Sequence, residues 1–307
     1  LAEWLYEAGI GEERAALVVD DRIVRARILP DDAGPQPGMV ASARLIDRLV
    51  ARLDDSSDVA LDRTPAGTTL GAAIRVEITR AAIPEAGRRK PPRGRASDAA
   101  LRASPMLRDK LTDAPVRELR AHEPDALEVA GWSELLEEAT SGDIAFSGGA
   151  LRLTPTPAMT LFDVDGGAPL DALAVRAAVA VAAAIERHAI GGSIGIDFPT
   201  LTGRAPRQAV ADAIDANLAQ PFERTAVNGF GFLQIVRPRT GPSLPDLLRA
   251  DPVGAAARAA LRTIERTPPG AANRVRLPAA VRERIVQRPD WLDEVVRRTG
   301  RMPIFDA

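Results

Sequence analysis

The chain reads as an α/β protein with a small β-barrel near its N-terminus, and three observations carry that reading. Short runs of apolar and polar residues separated by turn signals fill most of the first hundred positions. A long alanine-rich helix over 170–189 lies between two apolar strands, 158–164 and 193–198. The tail beyond 243 alternates helical patterns with one short strand.

A length of 307 residues allows two domains or more. The hydrophobic share of 46% and the charged share of 27% are those of an ordinary globular protein. No apolar run approaches the ~18–20 residues of a membrane span, so no membrane partner is expected. The start, Leu1 to Glu7, is acidic and lacks the basic and apolar parts of a secretory signal, which makes the cytoplasm the expected compartment. The absence of cysteine excludes disulfides, thiolate nucleophiles and cysteine-held zinc or iron–sulfur centres. Only His122 and His188 offer imidazoles, too few and too far apart in sequence for a histidine metal cage. Carboxylates must therefore carry any catalysis.

A net charge of −2 does not announce nucleic-acid binding, so the placement of charge matters more than its sum. Lys90 and Lys110 are the only lysines; the arginine excess fits a GC-rich coding bias as well as it fits phosphate binding.

Along the chain, 13–29 reads as two strands turned at Asp20-Asp21, followed by short strands within 38–63 and an alternating strand over 71–80. The run 87–95 carries Arg88, Arg89, Lys90, Arg93 and Arg95 among prolines and glycines and is expected to be an exposed loop. Such a loop is either a solvated linker or an arm that contacts phosphates. The stretch 97–142 reads as helical, most clearly at 132–139. Strands follow at 144–147 and 150–154, turned at Gly148-Gly149, and then the apolar strand ending in Asp163. Gly191-Gly192 stops the long helix, and the strand 193–198 contains Asp197. A helix over 205–219 leads to paired strands 223–227 and 230–236 turned at Asn228-Gly229. Helices over 255–266, 279–287 and 291–298 and a strand at 302–305 complete the chain, with no internal repeat.

The informative constellation is strand, helix, strand with an aspartate at each strand's carboxyl end, 34 residues apart (163 to 197). If the strands lie parallel and adjacent, both carboxylates leave the same sheet edge, where open α/β sheets place their sites. Two hard oxygen ligands suit Mg2+, which keeps several waters and completes its shell with substrate phosphate. Asp165 shares the face of Asp163 on an extended strand. A plainer reading is also open: Asp163 and Asp165 as turn residues and Asp197 as a cap.

Four ordered segments bear a resemblance that weighs between the two. Phe146-Ser147-Gly148-Gly149 through Leu161-Phe162-Asp163-Val164-Asp165 resembles the ribonuclease E/G pattern of a glycine-turn hairpin and an apolar strand ending Asp-x-Asn. Gly191-Gly192-Ser193-Ile194-Gly195-Ile196-Asp197-Phe198 is similar to that family's Gly-Gly-x-Ile-x-Ile-Asp-Phe. Phe230-Gly231-Phe232 through Arg237-Pro238-Arg239, and then Ser243-Leu244, resemble its remaining segments.

The resemblance implies a catalytic core with RNase H-like and DNase I-like parts, an inserted S1-like OB β-barrel and a small C-terminal α/β domain. The implied division is 1–30 and 97–150 for the first core part, 31–96 for the barrel with its basic arm, 151–244 for the DNase I-like subdomain, and 245–307. It implies Mg2+, with Mn2+ as a substitute, on Asp163 and Asp197, with Asp165 at the position of a supporting asparagine. It implies single-stranded RNA as the partner, its backbone held by the basic arm with Arg237 and Arg239. Departures accompany it. No segment matches the reader of a 5′-monophosphate, and no phenylalanine precedes Phe146, so the barrel lacks base-stacking rings. The cysteines of the family's zinc link are missing, so no zinc is expected and any homodimer is not bridged by it. The expected activity is metal-dependent endoribonuclease cleavage to 5′-phosphate and 3′-hydroxyl ends, in RNA processing or decay. The alternative is a catalytically degenerate member that binds RNA in RNA or ribosome maturation.

Overall fold

The computed structural model describes residues 1–85, 88–268, 270–271 and 273–306, with the side chain of Arg88 outside that description. The chain forms two compact units. One comprises Leu1–Asp32, Leu107–Ser133 and Leu247–Ala307; the other comprises Ala33–Met106 and Glu134–Asp246.

The first unit is built on a four-stranded sheet in the order Val116–Glu118, Glu3–Ala8, Glu12–Val19, Arg22–Pro30. Asp20 and Asp21 both take positive φ, which matches the right-handed twist of the two strands they join and fulfils the expected hairpin. Helices Pro252–Arg266, Ala279–Val286 and Pro289–Thr299 share a core of Leu261, Ile285, Trp291 and Val295. The stretch 97–125 departs from the expected helix. Pro105, Pro115 and Pro124 each lack an N–H and push the preceding residue out of the α region. The chain there forms one 3-10 turn at Arg108–Lys110 and the strand Val116–Glu118, and helix begins only at Ala126.

In the second unit Val40–Asp47, Val50–Leu53, Asp58–Leu61, Ala73–Arg80 and Arg93–Ala96 close into a five-stranded barrel. Its interior is aliphatic: Leu45, Leu53, Val59, Val76 and Ile78 are buried. Closure needs Gly94, because a Cβ there would press on Val76 and the Glu77 carbonyl at 2.6 and 2.8 Å. The expected loop over 87–95 is therefore corrected. Arg88–Lys90 pairs with Ile83–Glu85, and Arg93–Ala96 is a barrel strand pairing with two neighbours. Gly87 of that run lies outside the described residues.

A six-stranded sheet completes the second unit, in the order Asp143–Phe146, Gly149–Pro155, Thr160–Gly166, Gly192–Asp197, Phe232–Arg237, Glu223–Arg224. All its pairings are antiparallel except Thr160–Gly166 with Gly192–Asp197, joined by the crossover helix Leu170–Arg187. That helix buries Leu173, Ala177, Ala178, Val181 and Ile185 completely, and its alanines let it lie close to the strands. Helix Arg204–Asn217 joins the same core through Val210 and Ile214. One face of the sheet is thus covered, and the alternation of strand side chains sends Asp163, Asp165 and Asp197 to the other.

A candidate acidic site on the open sheet face

On Thr160–Gly166 the pattern alternates: Phe162 and Val164 point into the helix-covered core, Asp163 and Asp165 to the exposed side. On Gly192–Asp197, Ile194 and Ile196 are buried and Asp197 is exposed. Because the two strands are parallel and in register, Asp163 and Asp197 are direct partners. Neighbouring strands lie ~4.8 Å apart, so two side chains on one face at the same register can reach a common ion. The turn reading of Asp163 and Asp165 does not apply, since both lie within the strand.

Around the pair, Arg152 is the antiparallel partner of Asp163, with its guanidinium 3.2 Å from Asp143. Met159, Leu161 and Phe232 close over Gly195, where a Cβ would lie 2.7–2.9 Å from all three. Gln234 donates to Ser193 at 3.0 Å. The open face thus offers an acidic edge beside a small apolar floor.

The cations expected to hold RNA are not gathered there. Arg237 pairs with Gly192 at the far end of the strand from Asp197, and its guanidinium meets Glu186 of the covering helix at 2.8 Å. Five residues of strand, ~17 Å, separate it from the aspartate edge. Arg239 binds Asp246 at 2.7 Å. Lys90 is paired with Glu85, Arg93 approaches Asp62 at 3.3 Å, Arg95 binds Glu77 at 2.9 Å, and Arg89 donates to the Ala33 carbonyl at 3.0 Å. The side chain of Arg88 lies outside the described residues.

Sequence reasoning missed Arg80. Burial, with the nearby charges of Arg93 and Arg239, holds its guanidinium below the ordinary arginine range, and its buried Nε has no hydrogen-bond partner among the described residues. It also missed Arg207 and the exposure of Phe230; a phenylalanine between two glycines was the available signal.

No family model matches the chain. Over 131 residues it is 30% identical to ribonuclease G of Escherichia coli (strain K12), covering 39% of this chain and 27% of that protein. The same figures hold for ribonuclease G of Escherichia coli O157:H7 and of Shigella flexneri. The chain carries a distant, partial similarity to ribonuclease G. It spans about a quarter (27%) of the length of these relatives. The ribonuclease G likeness agrees in kind with the ribonuclease E/G resemblance of the segments around Asp163 and Asp197.

Among the described residues no group of three or more histidines or carboxylates could hold a metal ion, and no helix is long and apolar enough to cross a membrane. Two carboxylates in register nevertheless fit Mg2+. That ion is commonly held by one or two carboxylates, with water and substrate phosphate filling the remaining positions.

Proposed function

We propose that this chain is a cytoplasmic, divalent-metal-dependent endoribonuclease of the ribonuclease E/G type. It cuts single-stranded RNA to 5′-phosphate and 3′-hydroxyl ends in RNA processing or decay. The observation that carries the proposal is the register pairing of Asp163 with Asp197 on the open face; the ribonuclease G similarity supports it.

Asp163 and Asp197 would hold the ion, Mg2+ or its substitute Mn2+, with no zinc required. When bound, the ion supplies positive charge that offsets the phosphate oxygens in the transition state. The carboxylates fix where the scissile phosphate docks, and the covered sheet beneath keeps them rigid. Asp165, on the same face, accepts a hydrogen bond from the attacking water and takes its proton. The water oxygen bonds to phosphorus, the bond from phosphorus to O3′ breaks, and the departing 3′-oxygen gains a proton from solvent. Arg80, Arg93 and Arg239 form the cationic cluster that holds the RNA backbone away from the cut. Arg89, Lys90, Arg95 and Arg237, which are not among the charges acting on Arg80, and Arg88 belong to that proposal only as peripheral contacts.

One observation favours a second reading, an RNA-binding member without catalysis: Asp165 adds a negative charge where the resemblance places a neutral asparagine. Incubation of the full chain with 5′-labelled single-stranded RNA separates the two. Cleavage in Mg2+ that stops with chelator supports the enzyme; retention of intact RNA in both conditions supports the binding protein.

A further inference from the structure

Phe230 is 83% exposed, the one exposed phenylalanine, tyrosine or tryptophan among the described residues. Single exposed apolar residues are ordinary on protein surfaces, but the loop that carries this ring is pinned at the acidic edge. Phe232, two positions on, is the register partner of Asp197. The Asn228 side-chain oxygen accepts from the amides of Phe230 and Phe232 at 2.9 and 3.0 Å, and the Gly231 carbonyl accepts from the Phe198 amide at 3.2 Å. Gly231 has φ +95°, and a Cβ there would overlap the Phe198 carbonyl, so the loop requires glycine at this position. Beside the loop, the Arg207 guanidinium lies 3.6 Å from where a Cβ on Gly229 would stand. No carboxylate among the described residues comes within ion-pair distance of it.

We propose that Phe230 and Arg207 form a nucleotide-positioning clamp beside the acidic pair: the ring stacks a base of single-stranded RNA and the guanidinium holds the adjoining phosphate. The inference rests on the endoribonuclease reading for its substrate. An exposed ring on a loop pinned by the Asn228 side chain presents a π-face at little ordering cost, and an unpaired guanidinium beside Gly229 of the same loop supplies the matching charge. Met159, Leu161 and Phe232 form an apolar floor over Gly195, two residues before Asp197. The clamp supplies at the nuclease edge the stacking that the barrel, without a phenylalanine, cannot.

The test is binding in chelator, where no cleavage intervenes. Trp4, Trp132 and Trp291 are all buried, so Phe230→Trp adds a single exposed reporter to the full chain. Its emission is expected to quench on titration with oligouridylate or oligoadenylate, while the unsubstituted chain stays unchanged. Phe230→Ala is expected to weaken binding of the same oligonucleotides by roughly 5- to 140-fold, the range of one lost base stack. Arg207→Gln is expected to lower the magnitude of the log K against log salt slope by ~0.7. Undiminished affinity in Phe230→Ala, or an unquenched Phe230→Trp that still binds RNA, overturns the clamp. Asp197→Asn, assayed for cleavage in Mg2+, reports separately on the nuclease reading. Lost cleavage there with unaltered binding in Phe230→Ala rejects the clamp alone.

Discussion

Asp163 and Asp197 stand opposite one another on adjacent parallel strands, each exposed, each preceded by a fully buried residue, Phe162 and Ile196. Burial of the preceding residue in each strand fixes the direction of the carboxylate that follows. The crossover helix makes the strands parallel and so brings both acids to one edge.

Asp165→Asn removes a negative charge two residues from Asp163 on the same strand face and restores the amide of the resembled pattern. RNA affinity is expected to rise, with cleavage reduced if Asp165 takes the proton of the attacking water. Filter binding in chelator and single-turnover rates in Mg2+ measure the two effects; unchanged values for both would place Asp165 outside the site.

The charges of Arg93 and Arg239 both act against the positive charge of Arg80, a repulsion that a bound phosphate would offset. Replacing all three with glutamine is expected to lower the salt slope of RNA binding by up to ~2, at ~0.7 per phosphate contact on a single strand. Replacing Arg95, bound to Glu77 on the surface, is expected to alter the slope less and to cost under ~1 kcal/mol in stability. An equal slope change from the single and the triple variants would remove the cluster from the RNA path.

In the first unit Arg14, 1% exposed, lies 2.6 Å from both Glu7 and Glu12; Arg258 also binds Glu12, and Arg262 and Arg266 also bind Glu7. Arg14→Ala leaves buried carboxylates short of a partner and is expected to cost ~3–5 kcal/mol. Chemical denaturation measures it; a cost below ~1 kcal/mol would mean that the network reorganises freely.

His188 is fully buried, and burial holds its pKa below the ordinary value of ~6.5 despite the opposing pull of the Glu138 carboxylate 3.3 Å away. Protonation is therefore harder in the folded state. The stability His188 contributes is complete above pH ~6.5 and is lost as pH falls through that value toward the folded pKa, at no more than ~1.4 kcal/mol per pH unit. Melting temperatures from pH 7.5 to 5.5 are expected to fall for the unsubstituted chain and to flatten in His188→Gln. Parallel curves for the two would assign the loss elsewhere.

Much of this architecture could be read from local pattern. The alternation through Leu161-Phe162-Asp163-Val164-Asp165 and the alanine face of Leu170–Arg187 report directly on which side is buried, so the acidic edge followed. Partners distant in sequence leave no such trace. Arg237 reads like any surface cation until Glu186 is found beside it on the covering helix. Arg93 and Arg95 sit in a proline- and glycine-rich run that imitates a loop, although Gly94 is the small residue a closing barrel requires. The Asn228-Gly229 signal suggested a two-residue hairpin turn, yet positive φ occurs instead at Gly231, in a longer loop pinned by the Asn228 side chain. That difference is what carries Phe230 outward.

The most direct test is charge removal at the paired strands. Asp163→Asn and Asp197→Asn, each with an unchanged melting temperature because both side chains are exposed, are expected to abolish cleavage of single-stranded RNA at saturating Mg2+. RNA binding in chelator should survive in both. Wild-type turnover in either variant would contradict a metal site held by Asp163 and Asp197.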